Sequence, residues 1–110
     1  MKLIELEPQF LKRIDDSYEQ YVDTIVEADG IQFLCPVCFI KNSGGVGTHS
    51  IVCWKPSVPQ TTYPRPGRWN LKGTNYSDLS LVAGSSSILV TTGCKAHFFV
   101  QNGQIQICGS

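Results

Sequence analysis

Cysteine residues at short spacings are the part of this sequence that most clearly indicates chemistry. Cys35-Pro36-Val37-Cys38 places two thiols two residues apart, so both can reach one tetrahedral ion at sulfur–metal distances of about 2.3 Å. In a reducing compartment this spacing is more typical of metal ligands than of a disulfide. A redox pair of the thioredoxin kind would need a helix to begin at the pair, and residues 39–45 do not predict one. We therefore predict a zinc site, with two unliganded thiols as the alternative.

Two further ligands are needed, and the sequence offers two candidate pairs. Cys94 and His97 repeat the two-residue spacing after Gly93, whereas His49 and Cys53 lie closer along the chain. If residues 49–54 form a strand, His49 and Cys53 are about 13 Å apart at about 3.3 Å per residue, too far to bind one ion. We therefore predict zinc ligation by Cys35, Cys38, Cys94 and His97. His49 and Cys53 stay as an alternative metal or functional pair, and Cys53 could equally be a small buried apolar residue.

The N-terminal residues that precede this site predict a helix. Apolar residues recur at spacings of three and four, which is the period of one helical face: Leu11, Ile14, Tyr18, Tyr21, Val22, Ile25 and Val26. Pro8 suits a first turn, and Asp29-Gly30 suits an end. We expect a helix over residues 8–28, although Asp15-Asp16-Ser17 could break it.

The rest of the chain predicts strands and turns. Short alternating or apolar segments are expected to form strands at residues 31–34, 49–54, 68–72, 79–82, 87–91, 97–100 and 104–107. Asn102-Gly103 is a strong hairpin signal, and the proline-rich residues 55–67 predict an irregular excursion. The predicted fold is α+β but mostly β, an N-terminal helix packed on a small antiparallel sheet with zinc-ribbon-like knuckles.

Charge is distributed unevenly along the chain. Residues 1–30 contain three basic and eight acidic side chains, a net charge of −5, and residues 31–110 carry +5. On the predicted helix four acidic residues would form one edge, which either packs against the basic residues or binds a partner: Asp15, Glu19, Asp23 and Glu27. Arg65, Arg68 and Trp69 offer an alternative nucleic-acid surface, with two guanidinium groups and a stacking ring.

Length and composition favour one compact domain. The chain has 110 residues with 42% hydrophobic residues, enough for a core, and no apolar stretch that would span a membrane. We divide it into an acidic segment, residues 1–30, and a zinc-binding β domain, residues 31–110. The charged start does not resemble a signal peptide, so we expect a cytoplasmic protein.

Few residues could support catalysis. Residues 31–110 contain a single carboxylate side chain, Asp78, and His97 lacks the glutamate that follows the histidine of nucleobase deaminases. A Cys53 nucleophile with His49 as its base is the remaining enzymatic interpretation. Four protein ligands would leave no open position on zinc, so we expect a structural ion.

Several motifs recur in order along the β part of the chain, at residues 28–39, 47–54, 67–69, 78–81 and 93–103. Together they resemble a family of small proteins found mostly in tailed bacteriophages and prophages, and the resemblance does not extend to the acidic segment. The broader family includes domains encoded beside bacterial ubiquitin-like conjugation systems. The resemblance implies a zinc-ribbon-like β domain, and we expect a phage-type accessory module that binds a host protein, such as a host enzyme or defence complex.

Overall fold

The computed structural model describes residues 1–84, 87–90 and 93–108. A turn of 3-10 helix at Leu3–Leu6 opens the chain, and one α-helix, α1, spans Pro36–Asn42. The strands are β1 (Gln9–Arg13), β2 (Glu19–Val22), β3 (Gly30–Leu34), β4 (Ser50–Trp54), β5 (Asn70–Lys72), β6 (Ser80–Val82), β7 (Ile88–Leu89), β8 (His97–Gln101) and β9 (Gln104–Ile107).

The described strands form three small antiparallel sheets, which confirms the mostly β class. The largest sheet has the order β2-β1-β3-β4, the second pairs β5 with β6, and the third has the order β7-β8-β9. Because β1 pairs with β3, the acidic segment and the predicted β domain share one sheet. No helix in the described ranges is long and apolar enough to cross a membrane.

The predicted N-terminal helix is wrong, because residues 9–22 form a β-hairpin. β1 pairs with β2 in the register Phe10↔Val22. The Asp15 carboxylate accepts hydrogen bonds from the N–H groups of Ser17 and Tyr18, at 2.8 and 3.0 Å, and so stabilises a turn where a helix would have to continue. Acidic side chains four residues apart also disfavour a helix, whereas aromatic and β-branched residues favour strands.

The C-terminal hairpins are confirmed where they are described. β5 and β6 flank residues 73–79, and β8 and β9 flank Asn102-Gly103, whose φ angles are +50° and +72°. A Cβ on Gly103 would lie 2.1 Å from the carbonyl oxygen of Ser77, so this position requires glycine. Of the predicted strand at 87–91, β7 covers residues 88–89, and residue 91 lies outside the described residues.

The four-stranded sheet is covered on both faces. Phe10, Ile31 and Phe33 face the main core, where the rings of Phe33 and Phe98 meet edge to face at 6.0 Å. On the other face Leu11 packs with Trp54 and Val58 of the irregular, proline-rich excursion. The core thus joins the first sheet to β8, and this arrangement positions the site described below.

A polar network ties the excursion to the turn of the first hairpin. The buried Thr62 hydroxyl donates to the Asp16 carboxylate at 2.6 Å and accepts from Arg13 Nε at 2.7 Å. Hydrogen bonds from Thr62, Arg13 and Thr61 lower the pKa of Asp16 from 3.8 to about 2. The exposed turn is therefore held against the rest of the molecule by a charged acceptor.

Candidate metal centre

Cys35 and Cys38 lie at the junction of β3 and α1. Cys35 is the N-cap residue of the helix, Pro36 occupies its first turn, and Cys38 follows one turn later. The expectation that no helix follows this pair is therefore wrong. Proline with its fixed φ starts a helix readily, and Ser43 ends this one in the left-handed conformation, before the two glycines that argued against a helix.

The register of β3 and β4 brings His49 next to this pair. Leu34 pairs with Ser50, and the N–H of Cys35 donates to the carbonyl oxygen of His49 at 2.9 Å. His49 is therefore the cross-strand neighbour of Cys35, just before β4. The sequence signal that indicates this placement is the glycine-rich loop before His49, which allows β4 to return beside β3.

Cys94 reaches the same point from the third sheet. It lies in the turn between β7 and β8, which is closed by a hydrogen bond from the N–H of Val90 to the carbonyl oxygen of Ala96, at 2.8 Å. Gly93 and Lys95 both have positive φ there. Packing of β8 against the core of the first sheet brings this turn to Cys35, 59 residues earlier in the chain.

The four side chains lie close enough to hold one metal ion. The ligand atoms of Cys35, Cys38, His49 and Cys94 are all within 4.8 Å of one another. Cys35 Sγ and Cys94 Sγ are 3.6 Å apart, and His49 Nε2 and Cys94 Sγ are 3.4 Å apart. A tetrahedral zinc ion with ordinary bond lengths separates two sulfur ligands by about 3.8 Å and a sulfur from a nitrogen by about 3.6 Å. These two separations are thus close to those of a filled tetrahedral site.

The site runs from the core to the surface. Cys35 is fully buried, Cys38 and Cys94 are half-buried, and His49 is exposed. Burial raises the pKa of the Cys35 thiol to about 12, although the N–H groups of Cys38 and Val37 act in the opposite direction. A positive ion would offset the cost of a thiolate in this position.

Cys94 is the most acidic of the clustered thiols. Burial acts to raise its pKa, but hydrogen bonds with His49, the N–H of Ala96 and the two other cysteines together lower it to about 7. A thiol already partly ionised near neutral pH is suited to metal ligation.

The histidine of the cluster differs from the predicted ligand, because His49 lies beside the three cysteines and His97 does not. His97 belongs to β8, pairs with Leu89, and has its ring 6.4 Å from the ring of Phe99 on the same face of the strand. His97 lies beyond the turn at Cys94, in β8, so the predicted second knuckle is not confirmed. The distance argument against the alternative pair agrees with the structure for Cys53, which is buried in the core, but not for His49, which lies in the cluster.

The acidic residues predicted to line a helix edge lie instead around the first hairpin and the loop after it. Asp15 is in the turn, Glu19 is in β2, and Asp23 and Glu27 follow β2 before the chain enters β3. Glu27 accepts a hydrogen bond from the Thr24 hydroxyl at 2.8 Å. None of the four forms an ion pair in the described part of the chain, so compensation by basic residues, one of the two alternatives, is not seen there.

The residues of the nucleic-acid alternative are largely engaged within the protein. The Arg68 guanidinium donates to five backbone carbonyl oxygens of the excursion: Val58, Pro59, Thr62, Pro64 and Gly67. Arg65 donates to the Tyr63 hydroxyl at 2.9 Å and lies over its ring. Trp69 Nε1 is buried. The Arg68 guanidinium is therefore engaged by the fold, whereas Arg65 is exposed.

A cleft of about 660 Å³ adjoins the exposed side of the cluster. Its walls include His49, Ile51, Trp69 and Leu89, and no carboxylate side chain is among the described residues that line it. Asp78 accepts hydrogen bonds from the N–H groups of Thr74 and Asn75, at 2.8 and 2.9 Å, and so closes the β5–β6 turn.

Comparison with known proteins adds no relative: no family model matches the chain, and neither a curated protein nor a solved structure is similar to it.

Proposed function

We propose that this chain is a zinc-stabilised binding protein whose single zinc ion is held by Cys35, Cys38, His49 and Cys94. The observation that carries the proposal is the convergence of three sulfur atoms and one imidazole nitrogen within 4.8 Å of one another. Three thiolates and one imidazole are a common ligand set for structural zinc.

The role of the ion is structural. Four protein ligands complete a tetrahedral coordination sphere and leave no position for water or substrate. The ligands come from the β3–α1 junction, the start of β4 and the β7–β8 turn, so one ion ties the first sheet to the third. The main core already joins these sheets, and the ion fixes their edges relative to each other.

Redox and enzymatic alternatives have less support. α1 does begin at Cys35, as in thioredoxin-like sites, but burial raises the pKa of that thiol to about 12, the opposite of what a reactive thiol requires. The alternative nucleophile Cys53 is buried in the core, where burial raises its pKa. His49, the base considered for this nucleophile, belongs to the metal cluster.

A stable scaffold without a catalytic group is best suited to binding. We propose a protein partner, and the resemblance of residues 28–103 to bacteriophage proteins makes a host protein the class we favour. Three cysteine ligands require thiols that stay reduced, as they do in a host cytoplasm. Binding of nucleic acid is the weaker alternative, because the Arg68 guanidinium donates to backbone carbonyl oxygens of the excursion.

The test of the site is metal analysis of the purified protein and of matched histidine variants. We expect one zinc per chain in the wild type and in His97→Ala. His49→Ala should lose zinc much more readily to a chromophoric chelator, because one of the four ligands is gone. Cobalt substituted for zinc should show the strong visible absorption of a tetrahedral thiolate site.

Two results would contradict the ligand set. One is zinc that is retained in His49→Ala but lost in His97→Ala. The other is wild-type protein that, purified under reducing conditions and supplied with zinc, does not bind it.

A further inference from the structure

The outer edge of β2 carries unpaired backbone groups. In the described part of the chain β2 is the end strand of its sheet and pairs only with β1. The carbonyl oxygen of Tyr18 accepts from the N–H of Ile14 at 2.9 Å, so Tyr18 is directed toward β1. Backbone direction alternates along a strand, so Gln20 is also directed toward β1, and Glu19 and Tyr21 present their N–H and C=O groups outward. This edge can accept another strand.

The side chains around this edge are unusually apolar for an exposed surface. Tyr18, Tyr21, Ile14 and Val26 are 68%, 63%, 53% and 89% exposed. Natural edge strands are commonly protected by lysine, proline or a covering segment, and tyrosine is enriched in protein interfaces. β2 (Glu19–Val22) has neither lysine nor proline. Its composition is therefore that of a contact surface.

The charge near the edge selects the partner. Asp15, Glu19, Asp23 and Glu27 make no ion pair in the described ranges, where Arg13–Asp16 is the one ion pair found. A second copy of the chain added antiparallel would bring acidic hairpins together, and like charges across strands destabilise pairing. A segment rich in lysine or arginine would instead complement the edge.

We propose that β2 is a docking edge to which an extended, basic segment of a partner protein adds as a fifth strand. This inference rests on one part of the proposed function, namely that the chain acts by binding a protein. Backbone hydrogen bonds to Glu19 and Tyr21 supply the pairing, the exposed tyrosines supply apolar contact, and the acidic side chains select for a basic sequence.

The experiment is an NMR titration of the zinc-loaded full chain with a capped synthetic peptide of about ten residues that alternates lysine and valine. We expect the amide signals of Glu19 and Tyr21 to shift and their hydrogen exchange to slow, because new hydrogen bonds form there, while Gln20 responds less. A peptide with glutamate in place of lysine should bind at least about tenfold more weakly. A peptide methylated on alternate backbone nitrogens should lose binding, which separates strand addition from simple charge attraction.

Variants of the chain separate the contribution of backbone hydrogen bonds to peptide binding from the contribution of charge. Tyr21→Pro removes one outward N–H without removing a bond to β1, and proline is tolerated at such an edge. It should weaken peptide binding, as should the double change Glu19→Gln with Asp23→Asn. Tyr63→Ser, which removes a tyrosine that is 66% exposed elsewhere, is the matched control and should bind normally.

The outcomes are separable from those of the zinc proposal, since zinc content and melting temperature are measured on the same samples. Zinc-loaded wild type that does not bind the lysine–valine peptide would overturn the docking edge and leave the metal site intact. So would peptide shifts located away from β2, equal binding of the N-methylated peptide, or a concentration-dependent dimer that forms through this edge.

Discussion

Removing zinc tests the structural role most directly, because the site joins distant parts of the chain. Treatment of the protein with a strong chelator under reducing conditions frees the ligands and prevents a disulfide from replacing the ion. We expect a large fall in melting temperature, because zinc binds the assembled four-ligand site of the folded chain and not the unfolded chain, so that its binding free energy contributes to folding.

The size of the effect follows from preferential binding of zinc to the folded state. Cys35 and Cys94 are separated by 59 residues, so the unfolded chain does not hold the ligands together. Free zinc at about 1,000 times its dissociation constant stabilises the folded state by about 4 kcal/mol. With an unfolding entropy of about 2.1 cal/mol/K per residue, this corresponds to about 15–20 °C in melting temperature. Structural zinc sites commonly bind more tightly than this, so the value is a lower limit.

The assay is calorimetry or circular dichroism with and without chelator, with zinc content measured on each sample. His97→Ala should show the same fall as the wild type. Before chelation His49→Ala should have a lower melting temperature than the wild type. Chelation should then lower its melting temperature by less, because its site is already incomplete. A fall of less than about 5 °C with zinc verifiably removed would refute the structural role of the ion and show that the hydrophobic core alone stabilises the fold.

Three further predictions concern the scaffold. Gly103→Ala should lower the melting temperature by more than about 5 °C, because its Cβ meets a carbonyl oxygen at 2.1 Å, whereas Gly93→Ala, also at positive φ but with no atom within 4 Å, should cost less. Because the pKa of Asp16 is about 2 in the folded protein and higher in the unfolded chain, its stabilising effect should be complete above about pH 4 and be lost as the pH falls toward 2. The free energy of unfolding, measured with denaturant across that range, should depend less on pH in Asp16→Asn than in the wild type. Arg68→Ala should reduce the free energy of unfolding by at least about 2 kcal/mol and expose residues 55–67 to protease, and Arg65→Ala should do neither.

Local chemistry made much of the β structure predictable. Asn102-Gly103 specifies a tight turn because both residues tolerate positive φ, and the two flanking segments then pair with no help from distant residues. The proline-rich residues 55–67 could be assigned as irregular for a similar reason. The Cys35–Cys38 pair was also predictable as a ligand pair, since two residues of separation place both thiols within reach of one ion whether or not a helix follows.

The N-terminal hairpin was not predictable from apolar spacing. Phe10 and Leu11 are adjacent in sequence, yet each is buried, one in each core on opposite faces of β1. Apolar residues three and four positions apart along residues 11–25 fit a helix as well as they fit a strand that is buried on both faces. Contacts with β3 and with the excursion that packs over Leu11 favour the strand, and both come from residues that are distant in the sequence.

The identity of the fourth ligand was likewise decided by tertiary structure. The residue types and spacings identified three of the four clustered ligands, and they placed both histidines among the candidates. Choosing between His49 and His97 depended on the register of β3 with β4 and on how the β7–β8 turn packs against the first sheet. One ion requires its ligand atoms to converge within a few ångströms of one another, here within 4.8 Å, and only the packing of two sheets sets such a distance between Cys35 and Cys94, which are 59 residues apart.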